Sequence, residues 1–316
     1  MMLASIIIRT YNEQRHLDEL LMQISLQHLK SVNYEVIIVD SGSTDNTLSI
    51  AQKYQSRITT INKADFTFGR SLNVGCKFAH GDILVFVSGH CIPANEHWLE
   101  ELCKPLVEKK ANYVYGRQRG KDTTKYSEYR HFDKWFPDYS KLPQEGFFCN
   151  NANAAILRSS WEKFYFNEEI TGLEDMYLAK LLVESGEKIG YASKAEIFHI
   201  HDESWHQVRI RYEREALALQ RIMPEVHFNF FDFYRYFISS VLSDFSSAID
   251  DKLFLAKFTE IILFRFNHFW GTYKGSRRVK KLSAARKRHY FYPKDIEKGL
   301  YDEQKNSRAL THESQQ

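Results

Sequence analysis

Short apolar runs alternate with segments of helical periodicity over roughly the first hundred residues of the chain. Apolar runs bounded by polar residues predict buried strands at residues 5–8, 36–39 and 83–87, and a further short strand is predicted near 58–61. Apolar residues recur every three or four positions in the segments that follow, which predicts helices near residues 14–28, 45–54, 70–79 and 98–107. This alternation predicts an α/β fold with a mainly parallel sheet, right-handed crossovers and helices on its faces.

The pattern continues with fewer clear strands and changes character after residue 205. Strands are predicted at residues 113–116, 150–157 and 197–199, and a helix at 174–184. Beyond residue 205 the chain becomes helical and rich in aromatic residues, with helices predicted over 208–220, after Pro224 and over 253–270. We therefore predict a domain over residues 1–205, a helical C-terminal extension over 206–301 and a disordered tail over 302–316.

Composition narrows the class of protein. A chain of 316 residues with a hydrophobic fraction of 43% is long enough for one large domain and an appended part. Its net charge of +3 is too small to indicate nucleic-acid binding by itself. We expect neither a signal peptide nor a transmembrane helix, because the N-terminus lacks a basic region and no long uncharged apolar run exists. We expect buried free thiols at Cys76, Cys91, Cys103 and Cys149, which show no CxxC spacing.

Polar and acidic residues gather where the predicted strands end. The segments are Arg9-Thr10-Tyr11-Asn12-Glu13, Asp40-Ser41-Gly42-Ser43-Thr44-Asp45 and Ser88-Gly89-His90. Open α/β sheets bind their ligands at the carboxyl ends of their strands, so these segments are expected to line one site. Further along, Gly172-Leu173-Glu174-Asp175 places two carboxylates at the start of a predicted helix. That layout suits a base that faces a nucleotide site.

These segments, with Ser71-Leu72-Asn73-Val74-Gly75, make residues 1–205 resemble the family 2 glycosyltransferases with a GT-A fold. The resemblance implies an inverting transfer with Asp175 as the catalytic base and Glu174 beside it. An inverting transfer needs a carboxylate to take the proton of the attacking hydroxyl, and positive charge to stabilise the leaving diphosphate. A simpler interpretation of Glu174 and Asp175 is an acidic pair that complements a helix dipole.

The resemblance also implies a nucleotide site. Its residues are Thr10, Tyr11, Glu13, Asp40, Ser41, Arg70, Asn73, Ser88 and Gly89. Amide and guanidinium groups elsewhere suit sugar hydroxyls, phosphate or carboxylate, and we predict acceptor or sugar contacts for Arg117, Gln118, Asn150, Asn151 and Asn153. Solvated strand ends and turns are the alternatives for these five residues.

Ser88-Gly89-His90 departs from the family's Asp-x-Asp metal site. We predict a divalent metal, Mn²⁺ or Mg²⁺, held by His90 with His201 or His199, although imidazole favours softer ions such as Mn²⁺ or Zn²⁺ over Mg²⁺. The first alternative is metal-free transfer from a CMP-activated acidic sugar, with phosphates neutralised by His90 and by Arg70, Arg117 or Arg211. The second is a purely structural His90.

The C-terminal extension joins aromatic and basic residues. The aromatic residues Phe264, Phe266, Phe269, Trp270 and Tyr273 precede a basic cluster made of Arg277, Arg278, Lys280, Lys281, Arg286, Lys287 and Arg288. An ordinary core, a peripheral contact with an anionic membrane and a homodimer interface all fit this pattern. The absence of a recognisable nucleic-acid module argues against nucleic acid.

We therefore expect a cytoplasmic glycosyltransferase, with contact to the inner face of the plasma membrane as an option. Its donor would be a UDP-, dTDP-, GDP- or CMP-sugar, and its acceptor a glycan or polyprenyl-linked glycan of a bacterial capsule or O-antigen. A nucleotidyltransferase is a second hypothesis, but the first strand end contains no glycine-rich phosphate loop. A third is a non-catalytic glycan-binding or assembly protein on the same scaffold, against which the retained Asp40, Glu174 and Asp175 argue.

Overall fold

The computed structural model of the chain describes residues 1–278 and 290–292. These residues fall into two compact units. The first unit comprises Met1–Asp202 and Asp244–Ile261, and the second comprises Glu203–Ser243 and the described residues from Ile262 onward. The basic residues Lys280, Lys281, Arg286, Lys287 and Arg288 and the predicted tail at 302–316 lie outside the described residues.

The first unit contains one eight-stranded sheet. Its strands are β1 (Met2–Thr10), β2 (Val32–Asp40), β3 (Arg57–Thr60), β4 (Ile83–Ser88), β5 (Cys91–Pro93), β6 (Tyr113–Arg119), β7 (Asn153–Leu157) and β8 (Ile189–His199). They follow the order β3-β2-β1-β4-β7-β6-β8-β5. β1 pairs in parallel with β2 and β4, β2 with β3, and β6 with β8, whereas β7 is antiparallel to β4 and β6 and β5 to β8. The sheet is therefore mixed, and β7 separates its two parallel parts.

Helices cover both faces of this sheet. They are α1 (Gln14–Ser25), α2 (Thr47–Lys53), α3 (Phe68–Phe78), α4 (Trp98–Val107), α5 (Tyr126–Trp135), α6 (Arg158–Phe164) and α7 (Glu174–Glu184). One core cluster packs α1 and α4 against the sheet, and a second packs α3 and α7 against the sheet. Both faces of the central strands are thus buried, which is why their sequences read as unbroken apolar runs.

Register brings the predicted site segments to one edge of the sheet. Arg9 is paired with Ser88 on β4, and Thr10 is paired with Asp40 on β2. Because these strands are parallel, their carboxyl ends and the loops that follow lie together.

One strand begins well before its predicted start, and two elements were missed. β8 begins at Ile189 rather than at the predicted residue 197. The prediction missed its first half because those residues lie inside the sheet and do not alternate between polar and apolar. β5 has only three residues, too few for a periodic pattern. The sequence of α5 mixes charged and aromatic residues, and only four of its ten residues are buried. The four cysteines are free and buried, as predicted.

The second unit is helical. It contains α8 (Trp205–Ile222), while α9 (Phe230–Asp250) and α10 (Phe254–Ser276) each run across a boundary between the units. α8 begins with a capping box in which the Ser204 side chain accepts from Gln207 N–H. α8 and α10 cross closely at Gly275, where an added Cβ would lie 2.2 Å from the carbonyl oxygen of Glu213. Among the described residues, no helix combines the length and apolar character that a bilayer crossing requires.

Candidate active site

Asp40 organises the loop that follows β2. Its carboxylate is buried and accepts from the Thr10 hydroxyl at 3.0 Å and the Ser43 hydroxyl at 2.5 Å. The backbone N–H groups of Gly42 and Ser43 donate to its other oxygen at 2.9 Å. The Ser41 hydroxyl donates to the carbonyl oxygen of Thr10 at 3.2 Å. Asp40 therefore fixes the two strand ends to each other, and its place in the nucleotide site stays a prediction.

The loop after β1 is held in a strained conformation. Asn12 has a φ of +55°, which is uncommon for a residue other than glycine. Its N–H donates to the Ser43 hydroxyl at 2.9 Å, and its side-chain oxygen accepts from Thr44 N–H at 2.8 Å. The neighbouring Tyr11 ring carries the Lys63 ammonium 4.4 Å from its centroid. Strain of this kind is often found at functional sites.

The predicted base stands at the start of α7. Leu173, just before the helix, has a left-handed backbone with φ 56° and ψ 29°. Asp175 is buried, and one of its carboxylate oxygens accepts from Asn151 N–H at 2.8 Å. The other accepts from Met176 N–H at 2.8 Å.

Burial and the neighbouring charge of Glu174 raise the pKa of Asp175 from the ordinary 3.8 to about 7. The two backbone N–H donors and the charge of Arg9 oppose that rise. The carboxyl group is consequently poised to exchange a proton near neutral pH, which is the range in which a general base works best.

Arg9 connects the end of β1 with the segment that carries this carboxyl group. Its guanidinium lies 3.4 Å from a Glu174 oxygen and donates to the carbonyl oxygen of Phe68 at 3.3 Å. It also lies 5.0 Å from the centroid of the Phe68 ring. The side chain of Glu174 is only 6% exposed, so the ion pair is largely shielded from water.

His90, His199 and His201 come together at the same edge of the sheet. One ring nitrogen from each lies within 4.8 Å of the others. The backbone explains the meeting, because β5 pairs Cys91 with His199 and the Ile200 N–H donates to the carbonyl oxygen of His90. Glu13, immediately before α1, lies 3.3 Å from Nδ1 of His90. Gly89 leaves room for it, since a Cβ there would lie 3.0 Å from Cγ of Glu13.

The residues predicted to bind sugar lie in different environments. Gln118 and Asn150 form a chain behind His199, and the Asn151 N–H donates to Asp175. The Asn151 side-chain nitrogen is buried with no hydrogen-bond partner within the described part of the chain. Arg117 faces Glu196 at 3.4 Å.

Asn153 differs from the sequence prediction. Its side chain has no exposed surface and accepts from the indole N–H of Trp98 at 2.8 Å. Its amide nitrogen donates to the carbonyl oxygens of Arg117 and Ala195. Asn153 therefore holds β6, β8 and α4 together inside the unit and does not offer its amide to a sugar.

Arg70 and Asn73 both bind the segment 166–168. Arg70 donates to Glu168 at 2.8 Å, and Asn73 donates to the carbonyl oxygen of Phe166 at 2.9 Å. The side-chain oxygen of Asn73 also accepts from the indole N–H of Trp161. Their predicted role at the nucleotide stays a prediction.

Two residues at this edge were absent from the predicted site. Arg9 could have been noticed as a cation at the end of an otherwise apolar strand. Glu128, which accepts from His201 at 2.6 Å, lies on the missed helix α5 and carries no recognisable motif. Only the fold brings it to the histidines.

The chain is similar to known proteins of surface glycan synthesis. It is 31% identical over 189 residues to the O-antigen chain rhamnosyltransferase WbaN of Salmonella anatum. This alignment covers 56% of this chain and 60% of WbaN. The chain is 24% identical over 267 residues to the poly(ribitol-phosphate) beta-N-acetylglucosaminyltransferase TarS of Staphylococcus aureus, covering 82% of this chain and 44% of TarS. The chain thus spans less than two thirds of the length of either relative.

A solved structure shares the fold. The mannosyltransferase PcManGT from Pyrobaculum calidifontis, in complex with GDP-Man and Mn²⁺, superposes with a TM-score of 0.60 at 17% identity. The alignment covers 92% of this chain and 87% of that chain. The predicted GT-A fold is thereby confirmed. The sequence model for glycosyl transferase family 2 matches residues 5–164, about half of the chain. The chain therefore belongs to glycosyl transferase family 2.

Proposed function

We propose that the protein is an inverting glycosyltransferase that moves a sugar from a nucleotide-sugar donor to a hydroxyl group of a glycan or lipid-linked glycan. The observation that carries this proposal is the buried carboxyl group of Asp175, whose pKa is raised to about 7. The adjacent Glu174 pairs with Arg9 at the end of β1. Similarity to WbaN and TarS supports a bacterial surface polysaccharide as the product.

In the proposed reaction, the carboxylate of Asp175 takes the proton of the acceptor hydroxyl. The oxygen attacks the anomeric carbon, and the bond from that carbon to the nucleotide's phosphate oxygen breaks. The nucleotide leaves with the bonding electrons, and attack from the opposite face inverts the configuration. The Asn151 N–H would hold the carboxylate of Asp175 in place, because it donates to one of its oxygens.

The nucleotide would lie at the ends of β1 and β2, bordered by Thr10, Tyr11, Glu13, Asp40 and Ser41. The three clustered histidines fit a divalent metal, because one imidazole nitrogen of each lies within 4.8 Å of the others. Such an ion, when bound, would neutralise charge on the leaving diphosphate.

The arginines proposed for a metal-free transfer are engaged elsewhere. Arg70 is paired with Glu168, Arg117 with Glu196 and Arg211 with Glu203. Part of the positive charge of each guanidinium is therefore already balanced by a carboxylate. The contacts therefore favour a diphosphate donor with a metal over a CMP-sugar without one.

The test is calorimetric titration of the protein with UDP, GDP, dTDP and CMP, each with a divalent metal and with chelator. We expect one nucleoside diphosphate to bind in the micromolar range with metal present, and CMP to bind weakly under both conditions. Binding of none of the four, by protein that unfolds cooperatively, would contradict a nucleotide-sugar site.

We also propose that the second unit contacts a membrane through exposed aromatic side chains. Phe264 and Phe269 are buried within that unit, so the core interpretation holds for them. Phe231, at the start of α9, is 83% exposed, and Tyr234 is 61% exposed. Sedimentation with anionic vesicles tests the contact, and we expect Phe231→Ser to reduce the bound fraction. Equal binding of the variant would contradict it.

A further inference from the structure

We infer that His90, His199 and His201 form a three-imidazole site for a zinc-type transition-metal ion, which binds through the Nε2 atoms. Three acceptors behind the rings fix their orientation. These acceptors are Glu13, Gln118 and Glu128. The part such an ion would play in transfer rests on the proposed function, whereas its binding can be measured separately.

The hydrogen bonds determine which nitrogen of His199 carries the proton. The Ala152 N–H can only donate, so the Asn150 atom that it contacts at 3.0 Å is the oxygen. The same oxygen lies 3.0 Å from the Gln118 amide, which must therefore present its nitrogen there. Gln118 consequently turns its oxygen to Nδ1 of His199 at 2.7 Å. Nδ1 carries the proton, and Nε2 of His199 holds a lone pair.

The other two rings have the same arrangement. Nδ1 of His90 lies 3.3 Å from a Glu13 oxygen, and Nδ1 of His201 lies 2.6 Å from a Glu128 oxygen. An ionised carboxylate only accepts, so Nδ1 is the donor in both rings. Nε2 is then the nitrogen that can ligate. Metal-binding histidines commonly donate their second N–H to a carboxylate or a carbonyl oxygen in this way.

The spacing of the first two ligands fits a tetrahedral ion. The Nε2 atoms of His90 and His199 lie 3.3 Å apart. Two lone pairs at that distance repel each other unless a cation or a proton lies between them. Zinc-to-nitrogen bonds of about 2.05 Å at a tetrahedral angle separate two nitrogens by about 3.3 Å. His201 lies within the wider limit of 4.8 Å, so we expect its ring to move inward when an ion binds.

The ligand set also selects among metals. Three imidazoles suit Zn²⁺, whereas Mg²⁺ requires oxygen ligands and near-ideal octahedral geometry. Three protein ligands leave a further coordination position open, which is the arrangement of catalytic rather than structural zinc sites. Ser88-Gly89-His90 lacks the carboxylates of an acidic metal motif. His199, at the end of β8, and His201, just after it, would supply imidazole ligands in their place.

The experiment titrates chelator-treated full-length protein with ZnCl₂, MnCl₂ and MgCl₂ in a calorimeter. We expect one equivalent of zinc to bind in the micromolar range or more tightly, manganese to bind at least tenfold more weakly, and magnesium to give no heat. Cobalt should give the visible absorption bands of a tetrahedral site. The variant His199→Gln should lose the tight equivalent, while the exposed control His227→Gln should retain it.

A second variant tests the residues behind the rings. Glu128→Gln keeps the size of the side chain and removes its charge, and we expect zinc affinity to fall about tenfold. Thermal unfolding in chelator shows whether each variant is folded. Absence of zinc binding by folded parent protein, or equal zinc binding by His199→Gln, would overturn the inference and indicate a proton between the rings or a surface site. Zinc binding without nucleotide binding would instead contradict the proposed function.

Discussion

Replacement of Asp175 by Asn should stabilise the fold at alkaline pH. The pKa of Asp175 is raised from 3.8 to about 7, so the folded state binds this proton more tightly than the unfolded state. The stability that this group contributes is full below pH 3.8 and is lost as pH rises through 7. This rise of the pKa from 3.8 to about 7 corresponds to about 4 kcal/mol of unfolding free energy, which the parent protein loses by pH 8. An amide does not titrate and avoids that loss.

The side-chain amide of the Asp175→Asn variant also loses a hydrogen bond, which reduces the gain in stability. The Asp175 carboxylate accepts from two backbone N–H groups, those of Asn151 and Met176. Asn has one side-chain oxygen in place of two, so one of these donors loses its acceptor at a cost of about 1–3 kcal/mol. We expect Asp175→Asn to be about 1–3 kcal/mol more stable than the parent at pH 8, and no more stable than the parent at pH 5.

Urea unfolding at pH 5 and pH 8, with chelator present, measures both free energies. The exposed Asp122→Asn serves as the matched control, and its effect should be small at both pH values. The reasoning would be refuted if Asp175→Asn changed the free energy of unfolding equally at the two pH values, or if it were relatively less stable at pH 8.

Two further predictions concern the ion pair of Arg9 with Glu174 and the close packing of β6 against β8 at Gly116. Glu174 raises the pKa of Asp175 and Arg9 lowers it, so Glu174→Gln should move the acidic limb of the pH–rate profile to lower pH and Arg9→Gln should move it to higher pH. Shifts in the same direction in both variants would argue against this coupling. A Cβ at Gly116 would lie 2.2 Å from the carbonyl oxygen of Ala195, so Gly116→Ala should destabilise the fold by about 1–3 kcal/mol in urea unfolding. A variant as stable as the parent would contradict that packing.

Local pattern was sufficient for most of the fold. The apolar runs of β1, β2 and β4 and the periodicity of α1 and α4 lie in the sequence itself, and the elements were predicted from it. The insertion of antiparallel β7 between β4 and β6 depends on pairing between distant residues, which periodicity does not encode. The predicted α/β sheet with parallel pairs is confirmed, and the antiparallel pairs of β7 are what the sequence did not reveal.

The candidate site divides in a similar way. Asp40, Asp175 and His90 stand at element ends that the sequence marks, and their positions could be predicted. Whether an amide faces a pocket or the interior depends on strand register, which is why the sequence did not reveal that Asn153 is buried. Arg9 and Glu128 act through contacts with residues far along the chain, at sequence separations of 165 and 73.

The central claim is that Asp175 removes the proton of the acceptor hydroxyl. Its most direct test is nucleotide release from UDP-, GDP- and dTDP-sugars in the presence of a bacterial lipid extract, with parent protein, Asp175→Asn and Asp122→Asn. We expect Asp175→Asn to bind nucleotide like the parent and to release it at least about a hundredfold more slowly, with Asp122→Asn unchanged. Release by Asp175→Asn at the rate of the parent would contradict the account.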